Sequence, residues 1–211
     1  MKKILLMTFL VLFVTGCTII NNTSIDNLIN EIQKSKTNLN NTYRQGYKYY
    51  LPTHLQVKEV HGLNEVITHH GYKYYMYVDL VSYFDSIKKE YKENSNSYYS
   101  KNISFDGNEG YIEINSKKDQ YLIEIMYNYA KIEVIVDSDY LKEAVVNSMI
   151  ILTTVKYNDD IIENMMGENI LNFKEEQLDI FEVRGRESKF LEYLEEYDSY
   201  EDELPDPDLI N

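Results

Sequence analysis

The chain has 211 residues, of which 35 are Asp or Glu and 21 are Lys or Arg, so its formal net charge at pH 7 is −14. A surface this acidic is repelled by the phosphates of nucleic acids and by anionic lipid headgroups. The composition therefore excludes nucleic-acid binding, and it excludes attachment to a membrane through a basic patch.

The first residues have the pattern of an export signal. Lys2 and Lys3 are followed by an apolar stretch, residues 4–14, that only Thr8 interrupts. This stretch is much shorter than the roughly 20 apolar residues that cross a bilayer. A basic start followed by a short apolar run and small residues is typical of a signal peptide that is removed after export.

The residues after this stretch, Val14-Thr15-Gly16-Cys17, contain the only cysteine of the chain. They resemble the lipobox of bacterial lipoprotein precursors. The resemblance implies that a diacylglyceryl group is attached to the Cys17 sulfur and that the chain is cleaved between Gly16 and Cys17. It also implies that lipid holds the protein at the outer face of the cell membrane. An ordinary secretory signal with an incidental cysteine is the alternative.

These features predict four segments: residues 1–16 as the signal peptide, 17–23 as a lipidated tether, 24–200 as a single α+β domain and 201–211 as an acidic frayed tail. Residues 174–211 contain fourteen Asp and Glu against four Lys and Arg. Such a run is typical of a solvated helix face or a disordered tail. A weak site for a divalent cation or a basic partner is the alternative.

The first predicted elements of the domain are a helix and a group of tyrosine-rich strands. Ser24 is a suitable N-cap for a short amphipathic helix that ends near Ser35. The sequence Gly-Tyr-Lys-Tyr-Tyr occurs at residues 46–50 and again at 71–75, and both copies favour strands that begin after a glycine turn. Residues 65–68 are predicted to pair with residues 72–78.

The clearest alternation of apolar and polar residues comes next. Residues 111–115, 121–127 and 131–136 predict an antiparallel meander with one buried face. Residues 106–110 (Asp-Gly-Asn-Glu-Gly) favour a hairpin turn over a calcium loop. A helix capped by Ser138 should then lie on the sheet, with its apolar stripe at Leu141, Val145, Met149 and Leu152. Short elements are predicted at residues 159–166, 170–173 and 187–197.

Together these elements predict an α+β domain with an antiparallel meander packed by helices. The tyrosine-rich strand that runs into Leu51-Pro52, and the helix that closes with Ile-Ile-Leu-Thr-Thr-Val at residues 150–155, resemble the PsbP/Mog1-like α+β domains. That resemblance implies a non-catalytic assembly or binding module, and it assigns no functional residue.

Catalytic motifs are absent from the sequence. Lipidation would consume the single thiol, and no Gly-x-Ser-x-Gly elbow or glycine-rich phosphate loop occurs. The four histidines have no His-x-x-x-His spacing, and adjacent residues of a strand point to opposite faces, which favours turn residues over metal ligands. The sequence thus predicts neither a metal nor a cofactor; the histidines are His54, His61, His69 and His70.

Two kinds of side chain are left as functional candidates. Glu113 and Glu124 could lie opposite each other on neighbouring strands, which would suit an envelope hydrolase; a solvated strand face is the other interpretation. Exposed tyrosines could stack on a sugar or anchor a partner, although tyrosine is also common as half-buried sheet filler. The candidate binding surface comprises Tyr50, Tyr75, Tyr98 and Tyr99.

The sequence as a whole predicts a lipid-anchored extracytoplasmic protein that is not an enzyme. Its partners would be the membrane, through diacylglyceryl-Cys17, and an unknown envelope protein or ligand. An envelope hydrolase that uses paired carboxylates is the alternative, and a purely structural assembly factor is a third possibility.

Overall fold

The structure is a computed structural model in which residues 23–35 and 37–167 are described. The signal peptide, Cys17 and the elements predicted after residue 167 lie outside these ranges. A first compact unit ends at Ile162, and the described residues 163–167 belong to a second. Because residues 168–200 are not described, the predicted single domain over residues 24–200 stays a prediction.

Helix α1, Ile25–Lys34, begins where the sequence predicts. The Ser24 hydroxyl accepts a hydrogen bond from the Asn27 backbone N–H at 3.3 Å, which satisfies one of the free donors of the first turn. The helix ends at Ser35, and its buried face consists of Ile25, Leu28 and Ile29.

A seven-stranded antiparallel sheet forms the main part of the fold and confirms the predicted α+β class. Its strands are β3 (Gln56–His61), β4 (Asn64–His69), β5 (Tyr72–Val78), β6 (Tyr99–Phe105), β7 (Asn108–Lys117), β8 (Gln120–Tyr127) and β9 (Ala130–Asp137). Their spatial order is β3-β4-β5-β9-β8-β7-β6, so two runs of hairpins meet where β5 pairs with β9.

The hairpins predicted from the sequence are present, and their turns have the expected backbone. His70 and Gly71 both have positive φ, +50° and +85°, and so do Asp106 and Gly107, at +52° and +82°. Two successive residues with positive φ give a turn whose twist matches that of the flanking strands. The meander β7-β8-β9 and the pairing of β4 with β5 are therefore confirmed.

Strands β3 and β6 lack clear apolar alternation, and the sequence does not predict them. They form the two edges of the large sheet, and five of the six residues of β3 are exposed. A register shift between Val57 and Glu59 interrupts the pairing of β3 further. Edge strands commonly carry polar residues and bulges that discourage pairing with other chains, and this weakens the apolar pattern.

A small second sheet contains the first tyrosine-rich strand. Strand β2 (Tyr47–Tyr49) lies between β1 (Thr42–Tyr43) and β10 (Lys156–Tyr157), and both neighbours are antiparallel to it. Tyr47 and Tyr49 are buried whereas Lys48 is exposed, as the alternation predicts. The strand stops before Pro52, which cannot donate to a sheet ladder.

The core lies between the large sheet and helix α3, Leu141–Thr153, which packs on β8, on β9 and on α1. Burying one such apolar side chain contributes roughly 1.5–3 kcal/mol, so this layer dominates the stability of the unit. The sheet residues facing the helix are at most 1% exposed: Ile67, Tyr74, Met76, Ile112, Ile114, Ile123, Ile125, Ile132, Val134 and Val136. The helix contributes Ala144, Val145, Met149 and Leu152, each with no exposed surface.

The predicted start of this helix was wrong. Ser138 is not its cap: the flanking residue is Tyr140, no side chain caps the first turn, and the Ser138 hydroxyl instead contacts Asp139. Strand β9 continues to Asp137, and a tight turn closed by the Tyr140 N–H and the Asp137 carbonyl, 3.1 Å apart, must follow before the chain can reverse. The helix therefore begins only at Leu141.

Helix α2, Leu80–Phe84, was not predicted, because five residues are too few to show a helical period. Asp79 caps it by accepting a hydrogen bond from the Ser82 N–H at 3.0 Å. The backbone over residues 159–167 is also helical, as the sequence indicates. Among the described residues, no helix combines the length and the apolar character that a bilayer span requires.

Gly110 lies in the meander where no larger residue fits, and it supplies a test of the fold. A Cβ atom at Gly110 would lie 2.0 Å from the backbone oxygen of Met126. That atom belongs to β8 and cannot retreat without breaking the ladder, so Gly110→Ala should lower the free energy of unfolding by about 3 kcal/mol in urea titrations. Gly62→Ala is the control, because no atom lies within 4 Å of a Cβ placed at Gly62, although its φ is +58°. We expect this variant to lose about 1 kcal/mol of the free energy of unfolding. Equal losses would contradict the β7–β8 register.

Candidate functional site

The four candidate tyrosines lie in three separate places. Tyr50 follows β2 in the small sheet, Tyr75 is in β5, and Tyr98 and Tyr99 are at the start of β6. Strands β9, β8 and β7 separate β5 from β6. Tyr75 therefore lies apart from Tyr98 and Tyr99 in the sheet, and the role of all four in binding stays a prediction.

Tyr98 and Tyr99 differ in what they offer to a partner. Tyr98 is 59% exposed, and its ring centroid lies 4.8 Å from that of Tyr121. The Tyr99 hydroxyl donates a hydrogen bond to Asp26 Oδ1 at 3.0 Å, and burial together with this carboxylate raises the Tyr99 pKa above its ordinary value. Tyr98 is thus the ring available for stacking, and Tyr99 joins β6 to the first turn of α1.

Glu113 and Glu124 lie directly opposite each other on β7 and β8, which confirms their predicted pairing. The Glu113 carboxylate accepts hydrogen bonds from Asn94 at 3.0 Å and from Ser97 at 3.1 Å, and Tyr91 and Asn115 also donate to it. Because Tyr91, Asn94 and Ser97 belong to the segment between α2 and β6, this carboxylate fastens that segment to the sheet.

These hydrogen bonds also determine the acidity of Glu113. Partial burial acts to raise the pKa of its carboxyl group, but the four donors, led by Tyr91, outweigh burial and lower the pKa below the ordinary value of 4.5. Burial and the same contact raise the pKa of Tyr91 to about 12. Glu124 in turn accepts a hydrogen bond from Tyr111, whose ring stacks on Tyr91 at 4.1 Å. A general acid needs a raised carboxyl pKa, so Glu113 is poorly suited to that role.

A second carboxylate, Glu65, is fully buried between the two sheets. It lies in β4 and accepts hydrogen bonds from Tyr47 at 2.9 Å and Tyr49 at 2.7 Å, and Arg44 Nη2 lies 2.6 Å from its Oε2. Burial, followed by the negative charge of Glu65, raises the pKa of both tyrosines above the ordinary value. Since the two tyrosines belong to β2 and Arg44 to the turn between β1 and β2, Glu65 joins the small sheet to the large one.

A cleft with a volume of about 360 Å³ lies between the ends of α1 and α3 and the β6–β7 hairpin. Its lining contains one carboxylate, Asp106, and one lysine, Lys156, among small polar and apolar side chains. Catalysis by paired carboxylates needs two acids that face each other across such a space. This cleft does not supply them.

Three side chains that can act as metal ligands lie close together elsewhere in the fold. We call them the histidine cluster: His54, His69 and Glu143. His54 lies in the loop after β2, His69 ends β4, and Glu143 lies in the first turn of α3. One nitrogen of each imidazole and one Glu143 oxygen all lie within 4.8 Å of one another. Within the cluster, His69 Nε2 is 3.5 Å from Glu143 Oε1, and the two imidazole centroids are 4.6 Å apart.

Asn147 contacts the histidine cluster from the interior of the protein. It is 2% exposed, and its Nδ2 lies 3.3 Å from the Tyr74 hydroxyl and 3.4 Å from the Tyr140 hydroxyl. Because its amide nitrogen is used in these contacts, its Oδ1 faces His54 Nε2, at 3.0 Å. A buried asparagine with all its polar atoms engaged orients the exposed His54 ring.

His70 lies beside the cluster, contrary to the expected separation of adjacent histidines. Strand β4 ends at His69, and His70 adopts a left-handed backbone in the turn, so the two rings lie 3.9 Å apart instead of on opposite faces. Burial and the neighbouring His70 and His54 lower the pKa of His69 below its ordinary value, against the attraction of Glu143. The alternation rule failed here because the second histidine is not in the strand.

Sequence spacing could not reveal the histidine cluster. Its members come from a loop, a strand end and a helix that are far apart along the chain, and the fold alone brings them together. The one available signal was the His69-His70-Gly71 hairpin turn, which places one histidine at the end of a strand that the sequence does predict.

Comparison of the chain with protein-family models, with curated proteins and with solved structures found no match. The likeness to lipoprotein precursors and to PsbP/Mog1-like domains therefore stays a prediction.

The acidity of Glu113 leads to a prediction about stability and pH. Because its pKa in the folded state lies below the ordinary value of 4.5, its stabilising effect is complete above that pH and is lost as the pH falls through the lowered pKa. Glu113→Gln should lower the free energy of unfolding by about 1 kcal/mol at pH 7. Below pH 4.5 the free energy of unfolding of this variant should fall less steeply than that of the parent. Urea titrations at several pH values measure both effects.

Glu109→Gln is the control, because Glu109 is on the same strand but is exposed and pairs only at the surface with Lys88. We expect its pH profile to follow that of the parent. Parallel profiles for the parent and Glu113→Gln would show that the carboxylate is not held in its charged form by the fold.

Proposed function

We propose that the protein is a lipid-anchored extracytoplasmic lipoprotein whose domain binds an envelope partner or ligand and catalyses no reaction. The observation that carries this proposal is the sequence Val14-Thr15-Gly16-Cys17 after a basic start and a short apolar run. Each buried methylene contributes about 0.8 kcal/mol, and two acyl chains suffice for a stable anchor. An acidic domain that anionic membranes repel needs an anchor of this kind.

The start of the folded domain limits how far it can lie from such an anchor. Helix α1 is capped by Ser24, so only a short segment connects it to Cys17. A fully extended chain of this length spans roughly 25 Å at about 3.5 Å per residue. The domain would therefore work close to the bilayer, on a partner in the same membrane or in the layer next to it.

The arrangement of the acids supports binding over hydrolysis. Glu113 and Glu124 lie opposite each other on neighbouring strands, and this observation favours the alternative, an envelope hydrolase. Four donors surround Glu113, however, and its pKa is lowered, whereas an acid catalyst requires the opposite shift. Glu65 is likewise engaged by three donors in the interior. These carboxylates are better explained as parts of the scaffold.

The exposed Tyr98 ring is the best candidate for contact with a partner. Its neighbour Tyr99 bonds to Asp26 in the first turn of α1, and Lys101 of the same strand forms an ion pair with Asp26. Tyr98 consequently lies at the end of the domain where the chain arrives from the predicted tether. Aromatic rings that keep a polar tip in water are common anchors at interfaces.

The lipid anchor is tested by replacing Cys17. We expect Cys17→Ala to abolish incorporation of radiolabelled palmitate in growing cells and to leave an uncleaved precursor, because both reactions of the lipobox need the thiol. Unchanged labelling, or labelling of a chain that begins beyond residue 17, would refute the anchor.

The binding surface is tested separately by a photoreactive amino acid placed at Tyr98 in intact cells. We expect one crosslinked product of discrete mass, which is absent when the same group replaces His61. His61 is also exposed but lies on β3, at the opposite edge of the large sheet. The absence of a product at Tyr98, or the same product from both positions, would contradict this surface.

A further inference from the structure

We propose that His54, His69 and Glu143 together bind one divalent transition-metal ion of the zinc type. The proposal goes beyond the lipid-anchored binding function and does not depend on it. It rests on the convergence of three ligand side chains from three elements of the first compact unit.

The donor set matches the chemistry of zinc. Zn²⁺ is bound in proteins by imidazole nitrogen and carboxylate oxygen at about 2.0–2.2 Å, and two histidines with one glutamate form a known three-ligand zinc set with a fourth position open to water. Calcium and magnesium prefer oxygen ligands alone. Two imidazoles therefore select a transition metal over the hard cations.

The distances are close to those of a loaded site. Ligand atoms about 2.05 Å from a tetrahedral ion lie about 3.3 Å from one another. His69 Nε2 and Glu143 Oε1 are already 3.5 Å apart. The largest separation in the cluster is 4.8 Å, so binding requires one ligand to approach by about 1.5 Å.

His54 is the ligand that can make this movement. His69 and Glu143 belong to regular elements, the end of β4 and the first turn of α3. His54 is exposed and lies in the turn that the Leu55 N–H closes on the Pro52 carbonyl at 2.9 Å. A small rotation of the His54 ring about its Nε2 contact with Asn147 needs no change in the sheet or the helix, so two fixed ligands and one adjustable ligand are available.

A buried acceptor supports the His54 ring in the way that is typical of metal-bound histidine. A ligating imidazole almost always donates its other N–H to a protein acceptor. Here His54 Nε2 lies 3.0 Å from Asn147 Oδ1, and the contacts of the Asn147 amide nitrogen with Tyr74 and Tyr140 fix that oxygen as the acceptor. Nδ1 of His54 then keeps its lone pair and is free to bind the ion.

The site is tested by titrating Zn²⁺ into the full chain in detergent, by isothermal titration calorimetry and without a histidine tag. The chain carries Cys17→Ala so that the thiol cannot bind the metal. We expect one ion per chain, with an affinity that falls about 100-fold or more in His54→Ala, His69→Ala and Glu143→Gln. Asn147→Ala, which removes the supporting acceptor and leaves the three ligands in place, should weaken binding about tenfold.

His61→Ala is the matched control, since His61 is an exposed histidine that lies beside Glu59 on β3. The affinity of this variant for zinc should equal that of the parent chain. The His54 and Glu143 side chains are solvent-accessible, and circular dichroism will show that their variants remain folded. No binding to the parent chain, or equal binding in His54→Ala and His61→Ala, would overturn the proposal.

Discussion

Helix α3 lies against β8 and β9, and this packing determines where the polar side chains of the domain can be. The helix is buried over a broad face that runs from Asn147 through Ala144 and Ser148 to Met149, so its rotation about its own axis is fixed. Asn147 is then forced into the interior beside Tyr74, and Glu143, one turn earlier, reaches the end of β4. The histidine cluster is thus a consequence of how the apolar core packs.

A second constraint is the shortage of basic residues, 21 against 35 acids in a chain with 21 tyrosines. Tyrosine hydroxyls take the place of lysine and arginine as partners of many carboxylates. A neutral donor satisfies a carboxylate without requiring a second charge to be desolvated. The pairs are Tyr47–Glu65, Tyr49–Glu65, Tyr72–Asp137, Tyr83–Asp159, Tyr91–Glu113, Tyr99–Asp26 and Tyr111–Glu124. These pairs give seven of the 21 tyrosines a structural role.

The sequence predicts the parts of the fold that local chemistry determines. Ser24 caps α1, the His70-Gly71 turn joins β4 to β5, and alternation identifies the meander, because each depends on residues close together in the chain. Edge strand β3 and the start of α3 were missed, since edge polarity and a tight strand-to-helix turn override the local pattern. The histidine cluster could not be predicted at all, because it depends on the packing of distant elements.

X-ray absorption at the zinc edge shows whether the packing of α3 on the sheet brings His54, His69 and Glu143 to one metal-binding point. The full Cys17→Ala chain loaded with one equivalent of zinc should show nitrogen and oxygen scatterers at about 2.0–2.1 Å with the multiple scattering of two imidazoles. A shell of oxygen atoms alone, as for zinc bound to surface carboxylates and water, would contradict the account.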